Sequence, residues 1–127
     1  MSQRKVTAMG ALEDRKSLEL VYEMLKVLSD VSPSMPLQQA SCFVVTALNE
    51  GASLKDLIEI VGANQATMTR HMLDLGRRNR RHEEGYKLID SRQDDFDMRK
   101  NQYVLTVKGR GLVDRLIKGV RKYADIR

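Results

Sequence analysis

The stretch from Ala52 to Arg78, ASLKDLIEIVGANQATMTRHMLDLGRR, constrains this chain more than any other. Ser53 stands where it can cap a helix whose apolar face is Leu54, Leu57, Ile58 and Val61, with Asp56 at the third position as reciprocal partner. Gly62 stops that helix, and Asn64 is placed to cap a second one opening at Gln65. Two helices joined by a turn of about three residues containing glycine form a helix-turn-helix. In the second helix Met68, Met72 and Leu75 recur at i, i+4 and i+7 and must face inward. Gln65, Thr67, Thr69 and Arg70 are thereby turned outward, on or near the N-terminal turn. These side chains suit duplex DNA, because Arg pairs with guanine, Gln with adenine, and Thr reaches a phosphate or a thymine methyl. The plainer alternative is the polar face of an ordinary amphipathic helix.

The flanks extend the pattern. From Ala11 to Val31, Leu18, Val21, Leu25 and Leu28 form one helical stripe, and Leu20, Met24, Val27 and Val31 form a second beside it. A stripe that broad predicts a helix buried on two sides, the second by another copy of the chain. Pro33 and Pro36 break the pattern, and Pro36 suits the first turn of a helix with Phe43, Val44, Ala47 and Leu48 inward and Gly51 just past its end. After the helix-turn-helix comes RRNRRHEEG, four Arg in five residues including Arg77 and Arg78. Such a cluster serves either the helix C-terminal dipole or a phosphate backbone. Two strand-like runs follow, YKLID from Tyr86 and QYVLTV from Gln102, the second alternating with Tyr103, Leu105 and Val107 on one face. A hairpin in that position is a wing. A last helix, capped near Thr106, carries Leu112, Val113, Leu116, Ile117, Val120 and Ala124 on its apolar side.

Composition excludes several classes. A chain of 127 residues is long enough for one domain with one modest core. No apolar run approaches the roughly 20 residues of a membrane span, and the N-terminus lacks an apolar signal core, so a cytoplasmic protein with no membrane association is expected. Cys42 is the only cysteine, which precludes an internal disulfide and a Cys-based zinc site, and it sits among Ala40, Phe43 and Val44 as a buried thiol would. His71 and His82 are the only histidines, and His82 with adjacent Glu83 and Glu84 does not converge on one ion, so neither a metal nor a cofactor is expected. No phosphate loop or nucleophile elbow occurs, which argues against an enzyme. The net charge of +5 is uneven: residues 108–127 carry seven basic and two acidic groups, whereas 18–61 carry two basic and six acidic. Basic segments attract phosphate backbones, although a solvated surface would look the same.

Taken in order, these elements resemble the MarR (multiple antibiotic resistance regulator) family of winged-helix transcription factors. TMTR at 67–70 is similar to that family's recognition-helix core, T-V-T-R. Asp97, Met98 and Arg99, followed by Leu105, Thr106 and Gly109, resemble its wing signature, D-x-R, five residues, L-T-x-x-G. The match spans roughly residues 36–112. It implies a mainly α winged helix-turn-helix of about five helices with a small β-hairpin wing, forming one domain over 1–127. Within it, 36–107 would bind DNA, with the helix-turn-helix at 53–80 and the wing at 86–107, while 10–32 and 108–127 would dimerise. The implied activity is that of a regulator, usually a repressor, binding palindromic double-stranded DNA as a homodimer. Carried over by position, Arg99 would enter the minor groove, Asp97 would brace it, and Thr67, Thr69 and Arg70 would face the major groove. A narrow minor groove concentrates negative potential, which favours a guanidinium there. Arg92, Lys100, Arg77 and Arg78 complete the expected DNA-contacting set. Two features depart from the family: the link from Leu75 to Leu88 is several residues longer, and Asp94 and Asp95 would be repelled by phosphate unless paired with Arg92, Arg99 or Lys100. Two Phe in the whole chain leave little to line an inducer pocket, so a small-molecule effector is the weaker expectation. The alternative function is a winged-helix protein for replication or partition of a mobile element, or a protein–protein adaptor that keeps the fold.

Overall fold

The computed structural model describes residues 12–77, 81, 83–93 and 101–124. Among them the elements run α1 (Leu12–Val31), α2 (Leu37–Leu48), α3 (Leu54–Val61), α4 (Gln65–Leu75), β1 (Ile89–Gln93), β2 (Asn101–Leu105) and α5 (Val107–Ala124). The chain divides into two units, Ser34–Val113 and the terminal segments Met1–Pro33 with Asp114–Arg127.

In the unit spanning Ser34–Val113, helix boundaries follow the capping residues. Ser53 and Asp56 close a reciprocal capping box, with the Asp56 amide 3.2 Å from Ser53 Oγ and the Ser53 amide 3.3 Å from Asp56 Oδ2. Gly62 ends α3 at φ 83°, a left-handed conformation that costs glycine nothing. Asn64 then caps α4, accepting from the Thr67 amide at 2.8 Å. Met68, Met72 and Leu75 are buried as their spacing requires, against Phe43, Leu57, Leu88 and Ile89 of the same core. Helix α2 departs from expectation: Val44 and Leu48 are exposed, Leu48 at 76%, while Gln39, Ala40, Cys42 and Thr46 are inside with Phe43. The polar members fit because Thr46 donates to the Cys42 carbonyl at 2.8 Å and Gln39 donates to Asp74 Oδ2 at 3.1 Å. The Cys42 thiol lies 3.6 Å from the Met68 sulfur, and burial pushes its pKa up to about 11.

The hairpin pairs antiparallel from Ile89 opposite Leu105 to Gln93 opposite Asn101. Its first strand begins at Ile89 rather than Tyr86, because Lys87 turns into the left-handed region at φ 59°. Val107 is not a strand residue; it opens α5 and is 89% exposed. The loop before α3 adds a short rung to β2, with Gly51 N to Tyr103 O at 2.8 Å and Tyr103 N to Ala52 O at 2.9 Å.

The longer link after α4 does not extend the helix. Helix α4 stops at Leu75, and the amides of Gly85, Tyr86, Lys87 and Leu88 donate to the carbonyls of Arg77, Asp74, Gly76 and Leu75 at 2.8–2.9 Å. Carbonyls left open at a helix end are thus satisfied by the returning chain.

In the other unit α1 meets the C-terminal part of α5 antiparallel, with Arg115 Nη2 2.9 Å from Asp30 Oδ2 and Met24 against Gly119. Val27, in the second apolar stripe of α1, is buried. In the first stripe Leu18, Val21 and Leu25 are 52%, 51% and 46% exposed in the single chain. No helix among the described residues is long and apolar enough to cross a membrane.

Candidate nucleic-acid interface

The site is built on α4 and the hairpin beside it. With Met68, Met72 and Leu75 holding one side of α4 in the core, Gln65, Thr69 and Arg70 are exposed and Thr67 is partly so. Thr67 also gives its amide to the Asn64 cap, so the cap and the outward face share one turn. Arg70 makes no ion pair with another described residue. Thr69, Leu73 and Arg77 of α4 and its end share an open groove of ≈490 Å³ with Ser91, Asn101 and Tyr103 of the hairpin. The flank of α4 and the hairpin therefore line one concavity.

The basic residues near the wing base are engaged rather than idle. Arg77 reaches Asp90 Oδ2 at 3.3 Å, Lys87 pairs with Glu84 at 2.7 Å, and Lys108 donates to the Tyr86 carbonyl at 2.9 Å. Arg77 is 78% exposed at its side chain, and a pair that open to water is worth little. Arg92 is exposed on β1, opposite Gln102. Arg78, Arg99, Lys100 and Asp97, with Asp94, Asp95 and His82, lie outside the described residues.

The second half of the wing motif acts as a lock. Thr106 Oγ1 accepts from the Gly109 amide at 3.0 Å and donates to the Lys87 carbonyl at 2.6 Å, while the Thr106 amide donates to Leu88 O at 3.1 Å. One residue thereby caps α5 and fixes the root of β1. Gly109 is required because a Cβ there would collide with the Leu88 carbonyl.

Sequence reading missed two further devices. Glu50 accepts from the Leu105 amide at 3.0 Å and from both terminal nitrogens of Arg110 at 3.0 Å each, joining the loop before α3 to β2 and α5. The Leu105 amide, then the Arg110 guanidinium and the field of Arg92, hold its carboxyl below the usual range despite partial desolvation. Gln38 and Gln39 of α2 grip His71 of α4, and Gln39 also holds Asp74. No periodic signal marks Glu50, and the paired glutamines on α2 look like ordinary helix polarity.

A helix-turn-helix followed by an antiparallel wing and a closing helix defines a winged helix-turn-helix protein. The sequence matches no protein-family profile and no curated protein. Among solved structures the chain is similar to RV1404 from Mycobacterium tuberculosis, at 18% identity and a TM-score of 0.70 over 98% of this chain and 80% of that one. It is similar to MarR itself at 13% identity and a TM-score of 0.58, over 91% of this chain and 80% of the other. It is also similar to S. aureus MepR, solved as a DNA complex, at 18% identity and a TM-score of 0.68, over 87% of this chain and 83% of that one. The fold is therefore the MarR-type winged helix implied by the TMTR and wing motifs.

Proposed function

We propose that this chain is a DNA-binding transcriptional regulator that acts in the cytoplasm as a homodimer on a palindromic duplex, most simply as a repressor that occludes a promoter. One observation carries this reading: α4 is capped by Asn64 and anchored by three buried side chains, and it offers Gln65, Thr69 and Arg70 to solvent beside the wing. MepR, which shares the fold, was solved bound to DNA. The first turn of α4 enters the major groove, where Arg70 and Gln65 reach base edges and Thr67 and Thr69 reach phosphate or a thymine methyl. Arg77, Arg78 and Arg92 contact phosphates, while Arg99 enters the minor groove beside Asp97 and Lys100. Catalysis has no part in this role.

The test is selection of a duplex by the purified protein, followed by titration of wild type, Arg70→Ala and Arg99→Ala across salt concentrations. Each variant should bind the best duplex about 5- to 150-fold more weakly, as expected for about 1–3 kcal/mol per lost base contact, and wild-type affinity should fall steeply with salt. If a variant carrying both Arg70→Ala and Arg99→Ala shifts the best duplex at the wild-type concentration, the groove assignments are wrong.

A further inference from the structure

His71 lies on the flank of α4, next to Arg70 in sequence, and both of its ring nitrogens meet side chains of α2. Nε2 is 3.1 Å from Gln38 Oε1, and Nδ1 is 3.4 Å from Gln39 Nε2. An amide oxygen only accepts and an amide nitrogen only donates, so this arrangement selects the neutral ring with its proton on Nε2. Gln39 is 2% exposed, and its Nε2 also donates to Asp74 Oδ2 at 3.1 Å. Its own Oε1 is buried with no hydrogen-bond partner among the described residues. Buried amide oxygens are nearly always paired, so an orphan next to a titratable ring calls for an explanation.

A proton on Nδ1 supplies one. It would set a ring N–H against the Gln39 amide nitrogen, two donors face to face. Turning the Gln39 amide over brings its orphan oxygen to the ring N–H. The amide nitrogen then loses Asp74, whose Oδ2 must move off the turned oxygen, while the carboxylate's field favours the imidazolium. The network has two arrangements separated by one proton: the orphan acceptor is paired at the expense of the Gln39–Asp74 hydrogen bond, and the field of Asp74 on the imidazolium offsets part of that cost. Desolvation holds the His71 pKa below its ordinary value, while Asp74 acts in the opposite direction. Asp74 is the one charged group among the described residues acting on the ring. Among the described residues, α2 hydrogen-bonds the ring through uncharged Gln38 and Gln39, the Cys42 thiol turning to Met68, and no ionisable group of α3, which also packs on α4, acts on its charge.

We propose that His71 couples DNA binding to proton uptake, so that the protein grips its duplex more tightly as pH falls below neutrality. The inference rests on the DNA-binding reading above. Docking α4 brings the ring within a Debye length, about 8–10 Å, of several phosphates, whose field favours the imidazolium. The orphan oxygen of Gln39 gives the core a way to accept that proton without unfolding α4. By linkage, whatever DNA does to the proton affinity of His71, the proton does to DNA affinity by the same factor.

The experiment measures the His71 imidazole titration by NMR in free and duplex-bound protein, using His82→Gln to leave a single imidazole. Alongside it, duplex affinity is measured at fixed salt from about pH 8 to about pH 5.5, where histidine changes charge. The bound pKa should lie about one unit above the free one, with wild type binding about tenfold tighter per protomer at the acid end. His71→Gln should lose that gain, and Asp74→Asn should move it to lower pH, because the unaided ring is harder to protonate. A duplex bound equally at both ends of the range, or a His71 pKa indifferent to DNA, overturns the proposal and leaves DNA binding standing. A protein that retains no duplex at any pH overturns both.

Discussion

At the scale of single residues, backbone contacts outweigh surface charge. Gly109 sits where α5 passes the Leu88 carbonyl, and that oxygen is held by the Thr106 amide and cannot withdraw. Gly109→Ala should therefore lower stability by about 1–3 kcal/mol in denaturant unfolding, a typical cost of forcing atoms into a packed site. Glu50 gives a prediction with a pH signature. Its folded pKa is depressed chiefly by the Leu105 amide, so its contribution is complete above the ordinary carboxylate pKa and fades as pH falls through the folded value. Glu50→Gln should unfold at lower temperature than wild type near neutrality, and the two melting curves should converge in acid. His71 acts in the same direction, in a higher pH window. Its folded pKa is depressed, so the unfolded chain binds the proton more readily, and stability should drop as pH falls below the ordinary histidine value. His71→Gln should flatten that drop in wild-type melting temperature.

Among the elements, the helix-turn-helix was the most legible because its signals are local. Ser53, Asp56, Gly62 and Asn64 each act within four residues, and all four do in the fold what their chemistry predicts. Asn64→Ala should cost about 1 kcal/mol, the usual value for a lost N-cap. Because Asn64 caps the turn bearing Gln65 and Thr67, that variant should also weaken duplex binding more than Ser53→Ala does in the same titration. The strands were harder to place. YKLID has the apolar content of a strand, but Tyr86 and Lys87 serve the α4 terminus, their amides donating to Asp74 and Gly76. That role is set by chain return from a distance and leaves no periodicity. Val107 continues the alternation of β2 on paper, yet Thr106 caps a helix there and wins. On α2, Leu48 was expected inside and Gln39 was not, because hydropathy sees side chains and not the Asp74 carboxylate that makes a buried glutamine tolerable. The terminal parts of the wing motif were legible only by resemblance, and the D-x-R half lies outside the described residues.

At the scale of the whole molecule, the proposed function places two copies of α4 on one duplex and so requires a partner, for which the exposed stripe of α1 is the proposed surface. Leu18, Val21 and Leu25 form one stripe along α1 that is about half exposed in the single chain, although three such side chains in a row favour burial. Each Val or Leu taken fully out of water contributes about 1.5–3 kcal/mol, so a symmetric contact that doubles the stripe has a substantial driving force. Leu18→Glu with Leu25→Glu should convert a dimer to a monomer in sedimentation equilibrium, with helix content unchanged by circular dichroism. Duplex affinity should then collapse toward that of one half-site, since two recognition helices must reach grooves about 34 Å apart together. Leu48→Glu, at a position 76% exposed on α2, serves as the comparison. If it breaks the dimer while the α1 variant stays dimeric, the assembly uses the DNA-binding unit instead, and the two recognition helices would need a different spacing on DNA.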